Sequence, residues 1–554
     1  MRKPLLFITG VILSLNLTGQ LANISNHDTL CGHRISRDSQ QRILGWYKPE
    51  VPGAVYDKVV HLSSEFLKNI PAEESTGLPM YLVTCCFEGP QFNREKKIIA
   101  QNWPHNPACV YSGAVQSLAI RYRIYSGDDS YLNIVRTMLD YELTNGTTSD
   151  DWKWPGVPYA SADPFTKVYT GATKWEADGM RGDGLHGIEP DKVGEMGYAY
   201  LLFYEITNEQ KYLEAAIRCA DALSYNVNEV KAEQSSLTPF SQSRSPWPFR
   251  VNARTGVVIS EYCSNVLEPV KLLDELVRIA KRINLQESKI SLYKKVSGIA
   301  WDWLYSKSGP MTTFVWNAYF EDIPNDPGMT NRLQITPIEI SKYLLLHPEK
   351  DKNLSTNIPS LIHWVANAFK TEGLDAIKEQ TWCYEPMCSH TARYGSVCAM
   401  YYEFSGEPWY RDQAYRFLNV ASYMTYDNGV VAVGPNWPGS WFSDGYGDYI
   451  RHFVDAMAAV PEWAPAGEDH LLRSSSVVQN ISYKPEQIIF TTFDDGSDVV
   501  LRLSDKPVSV QVNGKKLELS KSKPDNSWTW TPLEKGGIMR LNYSGCNQVI
   551  IKKK

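Results

Sequence analysis

The chain has 554 residues, 43% of them hydrophobic and 12% aromatic, enough to bury the core of one large domain and a small second one. A formal net charge of −6 and a pI near 6.0 exclude the basic surface that nucleic-acid binding calls for, so no nucleic-acid partner is expected. The 17 Trp and 32 Tyr supply many flat aromatic faces, which suit a core and also stack on the axial C–H groups of sugar rings.

The N-terminus reads "MRKPLLFITGVILSLNLTGQLANIS". Arg2 and Lys3 precede an apolar run from Pro4 to about Leu17, interrupted by Thr9, Gly10, Ser14 and Asn16. That pattern reads as a signal peptide over residues 1–22, too short and broken for a stable membrane span. Cys31, in "HDTLCGH", lacks the small residues expected before a lipid-modified cysteine. The mature protein is therefore expected to be periplasmic or secreted, with no membrane insertion after signal removal. The 10 Cys include no C-x-x-C pair, and the spacing of "WCYEPMCSHTARYGSVC" fits no common metal site. Most are expected to be small apolar core residues, with an occasional disulfide permitted by export. No metal or cofactor is implied.

Residues 35–470 read as helical. Apolar residues recur at three and four spacings in "SGAVQSLAIRYRI", "VGEMGYAYLLFYEI", "VLEPVKLLDELVRIA" and "GSVCAMYYEFSG". Three junctions share one pattern: "YSGDDSYL" (125–132), "ITNEQKYL" (206–213) and "FSGEPWYR" (404–411). Gly or Asn ends one helix, an acid begins the next, and Tyr follows three residues on. A degraded fourth junction lies at "INLQESKISLY". The repetition predicts helical hairpins in an array. Tight turns then fall at one end, and the long connections gather at the other. From 475 to 554 short alternating segments such as "QIIFTTF", "DVVLRLS" and "QVIIKKK", with turns at "DDGSD" and "VNGKK", predict a small antiparallel β-sandwich.

The long connections carry the chemistry. "KWEADGMRGDGLHGIEPDKVGEM" sets Asp178, Asp183, Glu189 and Asp191 before or within the first turn of a helix begun by Pro190. Glu189 and Asp191 suit the positive end of a helix dipole. Asp178, Asp183, Arg181 and His186 sit on a glycine-rich approach, which lets backbone come close to something else. The spacing is not that of a calcium-binding EF-hand. Other loops repeat the mixture: Trp316, Asn317, Tyr319, Glu321 and Asp322; then Trp382, Glu385, His390, Arg393 and Tyr394; then Trp437, Trp441, Asp444, Tyr446 and Asp448. Trp152, Trp154, Trp175 and Trp247 lie in the remaining loops. Any one Trp is best read as core filling, but this concentration beside carboxylates points to a carbohydrate cleft. Glycosidic hydrolysis needs a protonated carboxyl and an ionised one, and burial against Trp raises the pKa of the former.

Helical hairpins with aromatic-acidic loops, followed by a β-domain after "DGYGDYIRHFVDAMAAVPEWAP", resemble the six-hairpin glycosidase superfamily. The "GGIMRL" segment also resembles accessory domains attached to such toroids. The resemblance implies an (α/α)6 toroid followed by a small β-sandwich, binding glycans at one mouth. Its nearest branch is that of exported bacterial enzymes acting on uronic-acid-bearing glycans, β-glucuronidase-like members included. The expected activity is glycoside hydrolysis. Asp183 or Glu189 forms one half of the acid/base pair and Asp444 or Glu321 the other. Trp175, Trp316, Asn317, Trp382, Trp441 and Tyr446 are expected to bind the sugar, with Arg181, His186, Arg254, Arg332 and Arg393 available to a uronate carboxylate. A polysaccharide lyase is the alternative, drawing on Asn317, Tyr319, His390, Arg393 and Tyr394; His390 and Tyr394 share a helix face if the segment is helical. A non-catalytic glycan-binding protein is a third reading. A terpenoid-cyclase-like ring is disfavoured by the export signal and the missing DxDD run.

Overall fold

The computed structural model describes residues 29–163, 166–172, 183–228, 245–260, 265–306, 309–311, 333–380, 385–437, 439–522 and 526–553. The expected signal peptide lies outside them.

Helix α1 (Ala54–Lys68) is followed by α2 (Pro107–Ala114), which continues through a wide-wound π segment (Val115–Tyr122) and a last turn (Arg123–Ser126). Then come α3 (Tyr131–Asn145), α4 (Pro190–Thr207), α5 (Gln210–Tyr225), α6 (Leu267–Arg278), α7 (Glu287–Leu304) and α8 (Ile335–Leu346). The series ends with α9 (Leu354–Phe369), α10 (Cys388–Ser405), α11 (Pro408–Ser422) and α12 (Tyr449–Ala459). Each even-numbered helix through α10 pairs with the one after it, and α12 packs on α1 to close the ring.

Burial separates two layers. In α10 every residue from Cys388 to Tyr401 is buried, and α4 is buried on nearly every side. A helix enclosed all round belongs inside, so the even-numbered helices form the inner ring. The odd-numbered ones bury one face each, as in α5, where Tyr212, Leu213, Ala216, Cys219, Ala220 and Leu223 face inward.

The expected tight junctions are present. Gly127 (φ 76°), Asn208 (φ 58°) and Gly406 (φ 75°) end their helices in the left-handed conformation. Asp128 accepts the N–H of Ser130 at 2.9 Å. Glu209 and Glu407 occupy the N-cap positions without a side-chain capping bond, so their contribution there is to the helix dipole alone.

The C-terminal strands are β1 (His470–Ser474), β2 (Val478–Lys484), β3 (Gln487–Thr492), β4 (Gly496–Leu503), β5 (Ser509–Val512), β6 (Lys515–Leu519), β7 (Ser527–Pro532), β8 (Gly537–Ser544) and β9 (Gln548–Lys552). Their order is β2-β3-β9-β5-β6-β7-β8-β4-β1. All pairs are antiparallel except β6 with β7, which meet in parallel at Glu518–Ser527 and Leu519–Trp528. The bent sheet encloses one core that includes Leu471, Ile488, Phe490, Leu501, Val510, Met539 and Ile551.

This domain docks on the tight-turn end of the ring. Arg278 Nη1 reaches Asp494 at 2.9 Å, Arg473 and Arg540 bracket Glu403 at 2.7 to 2.9 Å, and Tyr483 donates to the carbonyl of Ile124 at 2.5 Å. The long connections therefore lie at the opposite end. Among the described residues no helix is long and apolar enough to cross a membrane.

Candidate active site

All inner helices run the same way, so their N-termini converge at the long-loop end. The positive ends of the helix dipoles meet there, which favours carboxylates at that mouth. The mouth holds a pocket of about 160 Å³. Its wall is made largely of helix starts: Asn106 and Cys109 at α2, Glu189, Asp191, Lys192 and Glu195 at α4, Asn265 before α6, Ile335 of α8, His390 of α10, and Ser443, Asp444 and Asp448 leading into α12.

Five of the residues expected from sequence line this pocket together: Asp183, Glu189, His390, Trp441 and Asp444. Asp183 and Glu189 share one cation. Arg250 Nε lies 2.8 Å from Asp183 Oδ1 and 3.0 Å from Glu189 Oε1, and its guanidinium sits 4.6 Å from the Phe249 ring centre. Ser161 Oγ donates to the other oxygen of Asp183 and itself accepts the N–H of Ala172 at 2.8 Å. The approach turn needs its glycines: a Cβ on Gly171, at φ 88°, would lie 2.2 Å from the carbonyl oxygen of Gly184.

Asp444 and Asp448 sit on one π-helical turn, Ser443–Asp448, yet their environments differ. Asp444 is half-buried, and its loss of solvation pushes the carboxyl above the usual carboxylate range. The negative Asp448 adds to this, against hydrogen bonds from Ser389 at 2.7 Å and Ser443 at 2.9 Å. Burial also works to raise Asp448, but Arg393 and Arg451 outweigh it and hold that carboxyl below the usual range. Both arginines reach down the ring axis to Glu339, at 2.9 Å each, and Arg393 is 1% exposed. Arg393 is thus a buried structural cation.

The remaining expected residues are distributed differently. Tyr394 is fully buried, tilted on Phe417 at 4.5 Å, and is not among the pocket lining. One helical turn carries it away from the cleft that His390 faces. Tyr446 is also in the core, stacked on Phe66, with its hydroxyl donating to the carbonyl of Gly429. His186 packs on Trp152 at 4.5 Å outside the pocket, and Arg254 is exposed on its loop. Trp154 and Trp247 fill the core, so the tryptophans of the long loops do not form one platform. Trp175, Arg181, Trp316, Asn317, Glu321 and Trp382 lie outside the described residues, as do Tyr319, Asp322 and Arg332.

Sequence reasoning passed over several wall residues. Trp103 meets Trp441 at 5.5 Å, which makes the aromatic part of the wall. Lys192 Nζ lies 2.9 Å from Cys109 Sγ and 3.6 Å from Glu195, whose other oxygen accepts from Ser112 at 2.5 Å. Burial works to lower the Lys192 ammonium, but Cys109 and the carboxylates of Glu195, Asp191 and Glu189 raise it well above its ordinary value. Cys31, Cys86, Cys219, Cys388, Cys398 and Cys546 are free thiols; Cys263 and Cys383 lie outside the described residues. Among the described residues no group of three or more His, Cys, Asp or Glu is placed to hold a metal ion.

No family model and no curated protein matches the chain. Solved structures do. Cellobiose 2-epimerase from Spirochaeta thermophila superposes with a TM-score of 0.50 at 11% identity, covering 74% of this chain and 97% of that one. An unsaturated glucuronyl hydrolase specific for heparin gives 0.39 at 10% identity over 73% and 96% of the two chains. A family 76 glycoside hydrolase from a Bacteroides thetaiotaomicron strain gives 0.42 at 11% identity over 74% and 78%. Only the first bears on the architecture, and at that identity it bears on the fold alone. The inner and outer rings, their closure through α1 and the convergence of the inner helix starts agree with it: the chain has an (α/α)6 toroid fold.

Proposed function

We propose that the protein is a glycoside hydrolase with Asp444 as general acid and Asp183 or Glu189 as the partner carboxylate. One observation carries this. A half-buried carboxyl shifted toward its protonated form shares a sugar-sized pocket with two carboxylates ion-paired to an arginine, and it comes from the turn before α12 while they come from the approach to α4. Glycosidic bond cleavage needs that division of labour. The Trp103 and Trp441 faces supply stacking for a sugar ring.

The substrate in this reading is an oligosaccharide or polysaccharide outside the cytoplasm, reached through the export signal of residues 1–22. A uronate-bearing glycan would meet Arg250 and Lys192, the described cations at the pocket. Arg393, committed to Glu339 and Asp448, has no part in that recognition.

The test is a screen of uronate-bearing and neutral oligosaccharides in which reducing ends and near-ultraviolet absorbance are read together. New reducing ends without absorbance support hydrolysis. A rise in absorbance means β-elimination and replaces the proposal with a lyase. Saturable binding with neither signal replaces it with a glycan-binding protein.

A further inference from the structure

We propose that His390 is a substrate-positioning residue that presents a fixed Nε2–H to a neutral sugar oxygen, with its tautomer set by Arg393. The inference deepens the hydrolase reading and rests on the pocket being the sugar site.

The argument begins with hydrogen counting. Arg393 Nη1 lies 2.6 Å from His390 Nδ1. A guanidinium is donor-only, so Nδ1 must be the acceptor of this bond and carries no proton. Ser389 Oγ also lies 3.3 Å from Nδ1, and its principal contact is with Asp444 at 2.7 Å. The proton of the neutral ring therefore resides on Nε2. His390 is only 2% exposed and lines the pocket, and Nε2 has no hydrogen-bond partner among the described residues. A buried donor without an acceptor is costly unless something else supplies one. In this pocket that something is a ligand.

The surroundings keep the ring neutral. Burial and the adjacent Arg393 both push the imidazole well below its ordinary value, and Asp448 only partly opposes them. Asp448 is itself bound to Arg393 and Arg451, which also hold Glu339, so the facing carboxylates are already committed to guanidinium groups. A neutral imidazole with its basic nitrogen occupied can donate but cannot collect a proton from substrate. The fitting acceptor is a hydroxyl, ring or glycosidic oxygen. The same geometry removes His390 as the base of a β-elimination.

The test is histidine-selective ¹⁵N NMR of the full chain without ligand, with the His390 signals assigned by their loss in His390→Gln. The expected spectrum has a pyridine-type Nδ1 and a pyrrole-type Nε2, unchanged from roughly pH 5 to 8. An Nδ1–H tautomer, or a ring that becomes imidazolium in that window, overturns the proposal. Kinetics on a substrate from the screen supply a second readout. His390→Gln keeps a donor near Nε2, and His390→Leu has none. The expected kcat/KM of the Leu variant is about ten-fold below that of the Gln variant, with the pH profile unchanged. Loss of the acidic limb in the Leu variant would identify a proton shuttle and also overturn the proposal. The spectra need no turnover, so a failed screen counts against hydrolysis while the tautomer is still decided.

Discussion

At the scale of single residues, two carboxyls removed wholly or partly from water behave as opposites of a solvated acid, and each makes a prediction. Asp444 is held above the carboxylate range by burial and by Asp448. As general acid it is active when protonated, so kcat is expected to fall as pH rises through its raised pKa. Asp444→Asn is expected to lower kcat by roughly 10²- to 10⁴-fold with much less effect on KM, and to abolish that limb of the pH profile. A variant with nearly full activity would remove Asp444 from the chemistry. Glu142, on α3, is fully buried, and both its carboxylate oxygens lack a hydrogen-bond partner among the described residues. Burial raises its pKa well above the ordinary value. A raised folded-state pKa means that the folded chain binds the proton more tightly than the unfolded one. The stabilisation is full below the unfolded pKa near 4.3 and is lost as pH rises toward the folded value. Glu142→Met is therefore expected to raise the unfolding midpoint, and by more at pH 8 than at pH 5; an equal shift at both would refute the account. Asp183, Glu189 and Asp444 were legible in sequence because acids on glycine-rich loops are conspicuous. Lys192, Glu195 and Cys109 were not. They lie within helices that read as core, and only their place in the first two turns, at the converging end, turns them to the pocket.

At the scale of elements, the repeated junction carries more than a turn. The tyrosine that follows each acid is buried, and its hydroxyl reaches the preceding outer helix: Tyr131 to Glu65 at 2.6 Å, Tyr212 to Asp140 at 2.7 Å, and Tyr410 to His363 at 3.4 Å. At the degraded junction Tyr293 reaches Asp221 at 2.7 Å. One short motif thus ends an inner helix, starts an outer one and fastens it to its neighbour, which explains why the hairpins could be read from sequence. Tyr212→Phe is expected to cost about 1.5 kcal/mol in denaturant unfolding, because Asp140 keeps Lys211 at 2.6 Å but loses the phenol. No measurable loss would mean that the hydroxyl contact is incidental. The closure of the ring was not legible in the same way, since it depends on backbones touching. A Cβ on Gly113 of α2 would lie 2.8 Å from Gly447 Cα, in the turn that carries Asp444 and Asp448. Gly113→Ala is expected to cost roughly 1 to 3 kcal/mol and to reduce kcat by displacing that turn. Unchanged kcat with reduced stability would show that the turn keeps its place.

At the scale of the whole molecule, the chain divides its labour between the two ends of one axis. Long loops and helix starts face the pocket, and tight turns face the sheet. The β-rich tail was legible from its alternation, but its docking was not, because the docking residues sit in helical sequence. Arg123 is the clearest case. It lies at the end of the α2 run, is 0% exposed, and its guanidinium donates to the carbonyls of Val478 and Gln479 in β2 and of Ala119 in its own helix. Its Asp129 contact at 3.1 Å is with a half-exposed carboxylate. A buried guanidinium that donates to two carbonyls of the other domain ties the two units together, since those hydrogen bonds exist only while the domains are docked. The intact chain is therefore expected to unfold in one transition. Arg123→Met keeps most of the volume but leaves the Val478 and Gln479 carbonyls without this donor, a loss of roughly 3 kcal/mol at the interface. Calorimetry of the variant is expected to show the sheet and the toroid melting separately, with the first transition below that of the parent chain. A single transition at the parent temperature would mean that the Glu403 and Asp494 ion pairs hold the domains together without Arg123.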